Sequence, residues 1–270
     1  MTSGRRPSLG RLGDVVPPHL GIDVRAIAAF RVALALMVLV DLGNRWALLA
    51  SHYTDHGVLP RAAVAAAQNP WHVSFHMLSG EPWALHLLFA LNAVALLGLL
   101  VGFRSRLMAG VCWLFLVSLH ARSPELLQSG DVLLRLYLLW AIFLPLGARW
   151  SVDRALDTSG NAPPQHVQSM GTAGILLQIL AVYFFTGLLK HDVAWLPLGL
   201  AVQHALMLEQ ITTPLAVAFL EWGPLLRVAT WGTMFLELVG PLLLLLPGSE
   251  VGPGRPWSRS SSCFTSASFP

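Results

Sequence analysis

The sequence predicts an all-α integral membrane protein, a polytopic transmembrane helical bundle with about six spans. Hydrophobic residues make up 55% of the chain, whereas Asp, Glu, Lys and Arg make up only 11%. A soluble domain carries about 25% charged residues, most of them on its surface. The apolar residues are also concentrated in long blocks, and a helix needs about 20 mostly apolar residues to cross a bilayer. Lipid is therefore the expected solvent for much of the surface.

Six segments have the length and hydropathy of a membrane span. They are residues 26–49, 84–102, 106–121, 131–147, 172–190 and 225–247. Together they predict one transmembrane domain over residues 21–247.

Two polar tails flank this domain. Residues 1–20 carry several arginines and prolines and are predicted to be a disordered N-terminal tail. Residues 248–270 are rich in Ser, Gly and Pro, show no periodicity and are also predicted to be disordered. The abrupt change of character at Gly248 leaves two interpretations of the C-terminal tail: a native segment, or an aberrant or truncated ending.

The distribution of Lys and Arg predicts that both termini lie in the cytoplasm, because cytoplasmic loops are enriched in these residues. Ten cationic residues fall on the side of the termini: Arg5, Arg6, Arg11, Arg25, Arg104, Arg106, Arg149, Arg154, Arg255 and Arg259. Five fall on the other side: Arg45, Arg61, Arg122, Lys190 and Arg227. We therefore expect a multi-pass protein of the cell membrane, with the lipid bilayer as its main partner.

The sequence offers little for other classes of partner. The net charge of +3 arises from arginines in tails and alternate loops, a pattern typical of topology signals and not of nucleic-acid binding. His52 and His56, like His72 and His76, are spaced by four residues. Neither pair carries the adjacent glutamate of the zinc-protease motif. The sequence therefore predicts no nucleic-acid partner and no metal site.

Four ionisable residues lie well inside the spans: Arg31, Asp41, Arg135 and Glu237. Such residues are expensive in lipid and are candidate functional groups. Asp131 precedes Arg135 by four residues, and on a helix this spacing places the two charges on one face, where we expect them to neutralise each other.

Asp41 and Arg45 repeat this spacing. Arg31 and Glu237 have no local partner, so we expect each to pair across helices or with Arg135. A purely structural role in membrane insertion is the alternative for all of these groups.

A polar strip leads along the fifth predicted span to the only lysine of the chain. At 100° per residue, Tyr183, Thr186, Gly187 and Lys190 fall on one side of the helix. A lysine at a low-dielectric boundary can act as a general base. The alternative is a snorkelling lysine that marks the outer membrane interface.

Five stretches carry a family resemblance: GIDVRAIAAFRVALALMVLVDL, HYTDHGVLPR, FRSRLMAGVCWLFLVSLHAR, SGDVLLRLYLLWAIFLPLGARWSVD and YFFTGLLKHDVAWL. They resemble the HTTM family, the horizontally transferred transmembrane domain, which is related to the vitamin K-dependent γ-carboxylase. The resemblance covers residues 21–247 and implies a helical membrane domain whose working side lies outside the cytoplasm.

The resemblance also implies a chemistry. The carboxylase converts protein glutamate to γ-carboxyglutamate with CO2, O2 and vitamin K hydroquinone, and a lysine in a G-V-K-K-L-D-A-D-W stretch deprotonates the hydroquinone. The matching stretch here is GLLKHDVAW at residues 187–195, in which Lys190 falls on the functional lysine. At the start of the fourth span the carboxylase has a functional histidine within N-N-H-S-Y, where this chain has QSGDV at residues 128–132.

Two hypotheses from different classes remain open. The first is a quinone-linked, carboxylase-like enzyme, a lyase, with Lys190 as the catalytic base and a vitamin K-type hydroquinone or another lipid-phase small molecule as its substrate or cofactor. Its expected substrate-binding residues are Tyr183, Thr186, Arg135, Glu237 and Asp131. The second is a non-catalytic membrane scaffold or lipid-binding module.

Overall fold

The computed structural model describes residues 21–67, 73–160, 162, 165–209 and 212–245. The tails 1–20 and 248–270, which the sequence predicts to be disordered, lie outside the described residues. Within the described ranges the helices are α1 (Val24–Ala47), α2 (Leu49–His52), α3 (Arg61–Ala67), α4 (Pro82–Val101), α5 (Ser105–Arg122), α6 (Ser129–Ile142), α7 (Val152–Ala155), α8 (Met170–Leu188), α9 (Ala201–Leu206), α10 (Pro214–Leu220) and α11 (Gly223–Leu244).

The six long helices coincide with the six predicted segments to within a few residues. Three of them, α1, α4 and α8, are long and apolar enough to cross a membrane, so the chain is a membrane protein. The span count of six and the cytoplasmic termini stay predictions. Helix α6, for example, has 14 residues and so extends only about 21 Å at 1.5 Å per residue.

The predicted all-α class needs one small correction. Strand β1 (Ile22–Asp23) pairs antiparallel with strand β2 (His166–Val167), with Ile22 opposite Val167. This two-residue ladder ties the start of α1 to the linker between α6 and α8. Sequence periodicity does not reveal such a short ladder, because period-2 alternation needs at least four residues to register.

Local signals fix the boundaries of the long helices. Pro82 occupies the first turn of α4, where its missing N–H is not needed. The same helix ends at Gly102, whose φ of 74° is the left-handed conformation that glycine adopts without strain. The side chain of Ser169 accepts a hydrogen bond from the backbone N–H of Thr172 at the start of α8, a reciprocal cap that satisfies free N–H groups.

The first four long helices form one packed unit, which we call the bundle (α1, α4, α5 and α6). Contacts run from α1 to α4, from α4 to α5 and from α5 to α6. Its core holds fully buried side chains such as Phe89, Leu96, Leu116 and Leu138. Large apolar side chains also cover the outside; Val94, for example, is 67% exposed. An apolar exterior of this kind is expected where lipid replaces water.

The remaining two long helices, α8 and α11, form a second unit that we call the hairpin. They pack on each other, and the hairpin meets the bundle through α8 and α6. Gly174 allows this contact, since a Cβ there would lie 2.4 Å from ring atoms of Trp140. Gly171 near the start of α8 lies against Phe143 and Leu144 at the end of α6. Helices α6 and α8 therefore run antiparallel. The last turn of α8 lies at the end of the molecule where α6 begins.

This geometry places both long loops at one end of the molecule. Residues 48–81 connect α1 to α4, and residues 189–222 connect α8 to α11. We call this the long-loop end.

At the opposite end, Arg31 stabilises the chain after α6. Its side chain is 1% exposed, and its guanidinium donates to the carbonyl oxygens of Leu146 at 2.8 Å and Trp150 at 2.5 Å. A weaker hydrogen bond reaches the carbonyl of Arg149 at 3.4 Å. The two terminal nitrogens of Arg31 are thus bound by backbone carbonyls that follow α6, whereas its buried Nε has no partner among the described residues. Three peptide groups take the place of the side-chain partner expected on another helix.

Candidate functional site

Two polar clusters lie at the long-loop end. The hairpin site consists of Lys190, Trp195 and Glu237. The bundle cluster consists of Asp41, Arg45, Tyr53, His120 and Asp131. Each cluster brings together residues that are distant in the sequence.

The hairpin site is built around an ion pair. Lys190 lies just beyond the end of α8, and its Nζ donates to Oε1 of Glu237 at 2.5 Å and also contacts Oε2. The two side chains are 15% and 14% exposed. Glu237 lies in the middle of α11. The partner that we expected for it on another helix is Lys190, the residue predicted to be the base. At this degree of burial the pair is poorly screened by water.

Trp195 completes the surroundings of the amine. The Nζ of Lys190 lies 4.2 Å from the centre of the Trp195 ring, within the range of a cation–π interaction. Sequence reasoning did not assign Trp195 to the site. The signal was present in the matched stretch at residues 187–195, where the lysine and the tryptophan lie five residues apart.

Gly187 brings the two helices of the hairpin together. A Cβ at this position would lie 2.9 Å from Cγ of Leu238 and 3.3 Å from Cβ of Glu237. Because glycine has no side chain, α11 approaches α8 closely enough for Glu237 to reach Lys190. The small residue in the predicted polar strip therefore serves close helix packing.

An apolar groove lies between the same two helices. It has a volume of about 270 Å³ and is lined by Ile179, Tyr183, Leu236, Gly240 and Pro241. Tyr183 precedes Lys190 by two helical turns, and Gly240 follows Glu237 by three residues. The groove therefore lies next to the hairpin site, on the side of the preceding turns of α8. Tyr183, which is 53% exposed, is the predicted substrate-binding residue that the structure places in it.

The other predicted substrate-binding residues do not line this groove. Thr186 is exposed on α8. Asp131 and Arg135 lie on α6, in the bundle, and the expected ion pair between them is wrong. The carboxylate of Asp131 accepts a hydrogen bond from the backbone N–H of Gln128 at 2.8 Å and one from Arg45 at 2.6 Å. Its role in capping α6 turns it away from Arg135, which is half-buried and makes no ion pair with any described residue.

Arg45 is the centre of the bundle cluster. Its Nε donates to both carboxylate oxygens of Asp41, at 3.0 and 2.8 Å, which confirms the predicted pairing. Its Nη1 donates to the hydroxyl of Tyr53 at 3.2 Å, and its Nη2 donates to Asp131. One guanidinium thus joins α1, α6 and the loop that follows α1.

His120 lies against this network from α5. It is 1% exposed, and its Nε2 lies 3.9 Å from Oδ1 of Asp131. Neither ring nitrogen has a hydrogen-bond partner among the described residues. Sequence reasoning missed His120 because it lies in a predicted span and the carboxylate beside it comes from another helix.

The described residues of the loop at 48–81 pack on this end of the bundle. Arg61 forms hydrogen bonds with both carboxylate oxygens of Asp55, and these bonds lower the pKa of Asp55 to about 2. Buried Arg122 at the end of α5 donates to the carbonyl oxygens of Tyr53 and Leu59 at 2.9 Å each. These contacts hold the loop on the bundle.

The described histidines of this loop have different surroundings. His76 is buried, with Nδ1 2.7 Å from Oγ of Ser118, and burial lowers the pKa of its imidazole to about 3. His52 and His56 lie in a short helix and the turn that follows it. His72 lies outside the described residues.

Comparison with known proteins identifies one relationship. The family described as the HTTM domain matches residues 20–251 of the chain. No curated protein and no solved structure matches it.

Proposed function

Because the chain belongs to the HTTM domain family, we propose that it is a membrane-embedded enzyme with quinone-linked, carboxylase-like activity and with Lys190 as its base. One observation supports this proposal above the others. The single lysine of the chain is paired with Glu237 directly beside an apolar groove between the same two helices. A base close to an apolar groove is what proton abstraction from a membrane-soluble substrate requires.

The groove fits an apolar substrate. Its lining is aliphatic apart from Tyr183, and its volume of about 270 Å³ is near the lower end of the range of small-molecule sites. A hydroquinone ring fits such a space while its isoprenoid tail extends into lipid. The Tyr183 hydroxyl is the polar group of the lining, and it is available to orient a ring oxygen.

Proton transfer at the hairpin site needs both charged residues. An amine accepts a proton only when it is neutral, and the carboxylate of Glu237 is in contact with the ammonium of Lys190 and can take one of its protons. The amine then accepts the proton of a hydroquinone hydroxyl as that O–H bond breaks, which leaves the hydroquinone monoanion.

The second candidate function is a non-catalytic lipid-binding module. Trp195 and Glu237 surround the amine on two sides, an arrangement that also suits a structural tie between the helices. On this alternative the groove binds a lipid chain and Lys190 has no chemical role.

Reconstitution tests the enzyme proposal. The full chain in liposomes is supplied with reduced vitamin K or reduced menaquinone and O2, and oxidation or epoxidation of the quinol is followed by absorbance and chromatography. We expect turnover by the wild type and a loss of at least about a hundredfold in Lys190→Ala and Glu237→Gln, in line with the typical contribution of general acid–base groups. Incorporation of labelled bicarbonate into a glutamyl peptide, measured in parallel, tests carboxylation separately.

Arg227→Ala is the matched control, because Arg227 is an exposed cation on α11. It should retain wild-type turnover. Equal rates in the wild type and Lys190→Ala, or no turnover in any variant, would overturn the enzyme proposal in favour of the lipid-binding module.

A further inference from the structure

We propose that the bundle cluster is a binding site for a divalent transition-metal ion, with Asp41, His120 and Asp131 as its protein ligands. This site is separate from the hairpin site, and the proposal does not depend on the proposed enzymatic activity.

The geometry of the three side chains carries the proposal. They come from α1, α5 and α6, and one ligand atom from each lies within 4.8 Å of the other two. Two ligands bound to one zinc ion at 2.0–2.2 Å in tetrahedral geometry lie roughly 3.4 Å apart. The His120 Nε2 and Asp131 Oδ1 are 3.9 Å apart, too far for a hydrogen bond but within a small side-chain shift of joint coordination.

His120 supplies a second and independent observation. It is 1% exposed, and both of its ring nitrogens are unpartnered among the described residues. A buried polar group without a partner is energetically unfavourable. Its Nε2 lies on the side of Asp131, so an ion between them would satisfy the nitrogen that no described group satisfies.

The guanidinium of Arg45 competes with a metal ion for the carboxylates of Asp41 and Asp131. It donates to both carboxylates and so holds them together with a positive charge. A divalent ion bound to two carboxylates and a neutral imidazole forms a neutral coordination sphere, and it must displace this guanidinium. A pocket of about 180 Å³ lies beside Arg45, and its lining includes the polar side chains of Asn44, His52 and Tyr53. The displaced side chain has room there and keeps the Tyr53 hydroxyl within reach.

The ligand set selects the class of metal. Two carboxylates and one imidazole favour zinc, cobalt or manganese over calcium and magnesium, which prefer ligand sets of oxygen alone. The three side chains leave at least one coordination position for water or another small ligand.

Titration with Co²⁺ and Zn²⁺ tests the site on the full chain, purified in detergent and treated with a chelator. Visible absorption of bound Co²⁺ reports its coordination, and competition with a fluorescent chelator gives the affinity for Zn²⁺. We expect one ion per chain in the wild type. We also expect His120→Gln and Asp131→Asn to weaken binding by at least about tenfold, since each removes a ligand from the metal.

Arg45→Gln provides the decisive variant, because misfolding cannot explain a gain of affinity. Removal of the competing cation should tighten binding by about tenfold or more, as two carboxylates are left without compensation. His86→Gln is the control, since His86 is an exposed histidine near the start of α4, at the long-loop end. This variant should bind metal as the wild type does. No stoichiometric binding in the wild type and Arg45→Gln, or equal binding in all five proteins, would overturn the proposal.

Discussion

The bundle and the hairpin accommodate charge inside the membrane domain in different ways. In the bundle, Arg31 donates to three carbonyl groups and Arg45 binds two carboxylates and a phenol. In the hairpin, Lys190 faces one carboxylate and one aromatic ring. The arginines are thus enclosed by fixed partners, while the lysine has two partners and lies beside an open groove.

The bundle also buries more apolar side chains than the hairpin does. The central cluster of buried side chains comes from the bundle and its adjoining loops, with Ile175 of α8 as the hairpin's contribution within the described residues. On α11, Phe235 and Leu236 are 66% and 68% exposed. The bundle therefore derives its stability from its own packing, whereas the hairpin leaves apolar surface free for lipid or substrate. A site that must admit a membrane-soluble molecule is expected in the less enclosed of the two units.

Removal of Arg31 gives the largest expected effect on stability. Arg31→Ala removes three charge-assisted hydrogen bonds and leaves the buried carbonyl of Leu146 without this donor, so the free energy of unfolding should fall by about 3 kcal/mol or more. Denaturation with SDS in mixed micelles measures this quantity. Arg227→Ala, the control in the hairpin, should change it by less than about 0.5 kcal/mol, because Arg227 is exposed. Similar losses in both variants would remove the contrast between the two units.

The Lys190–Glu237 pair should show an intermediate effect. Lys190→Met leaves Glu237 with a partly buried charge and no counter-ion, and we expect a loss of about 2 kcal/mol. Glu237→Leu should be similarly unfavourable. The double variant should recover much of the stability, since it replaces the pair with apolar groups in an apolar setting. A double-mutant cycle measures this coupling, and additive losses would show that the two side chains do not interact.

Alanine substitutions at the two glycines of the helix contacts, Gly174 and Gly187, should differ in their cost to stability. In Gly174→Ala the new Cβ would meet the Trp140 ring at 2.4 Å, and that ring is fixed by its hydrogen bond to Gln178 at 2.6 Å. In Gly187→Ala it would meet Cγ of Leu238 at 2.9 Å, in a half-buried aliphatic side chain that can change rotamer. We expect losses of about 2 and 1 kcal/mol respectively, because overpacking is more costly where the neighbour cannot move. Thermal unfolding in detergent provides the ranking, and the reverse order would contradict it.

The pH dependence of the loop at residues 48–81 should be the smallest effect. Hydrogen bonds from Arg61 lower the pKa of Asp55 from 3.8 to about 2. The stabilising contribution is therefore present above pH 4 and is lost as the pH falls through about 2. Protease cleavage of this loop should accelerate only within that range. Arg61→Gln should cleave faster at pH 5 and show little further change on acidification, and a wild-type profile that is flat to pH 2 would contradict the assignment.

The sequence predicted the helices far better than their ion pairs. All six long helices were predicted to within a few residues, because apolar length is a property of each segment alone. The pair of Asp41 and Arg45 was also predicted, since i, i+4 spacing is local. The pair of Asp131 and Arg135 has the same spacing and does not form, because Asp131 caps α6 and binds an arginine from α1.

Apolar segment length, the positions of the charged residues and the match of residues 187–195 were determined by the sequence alone. The partners of those charges were decided by the tertiary structure. Glu237 meets Lys190 because Gly187 lets two helices approach, and His120 meets Asp131 because three helices place their ends together. Hydrophobic length is encoded in consecutive residues, whereas the partner of a charge depends on which helices become neighbours, and that choice is made by packing of the whole chain.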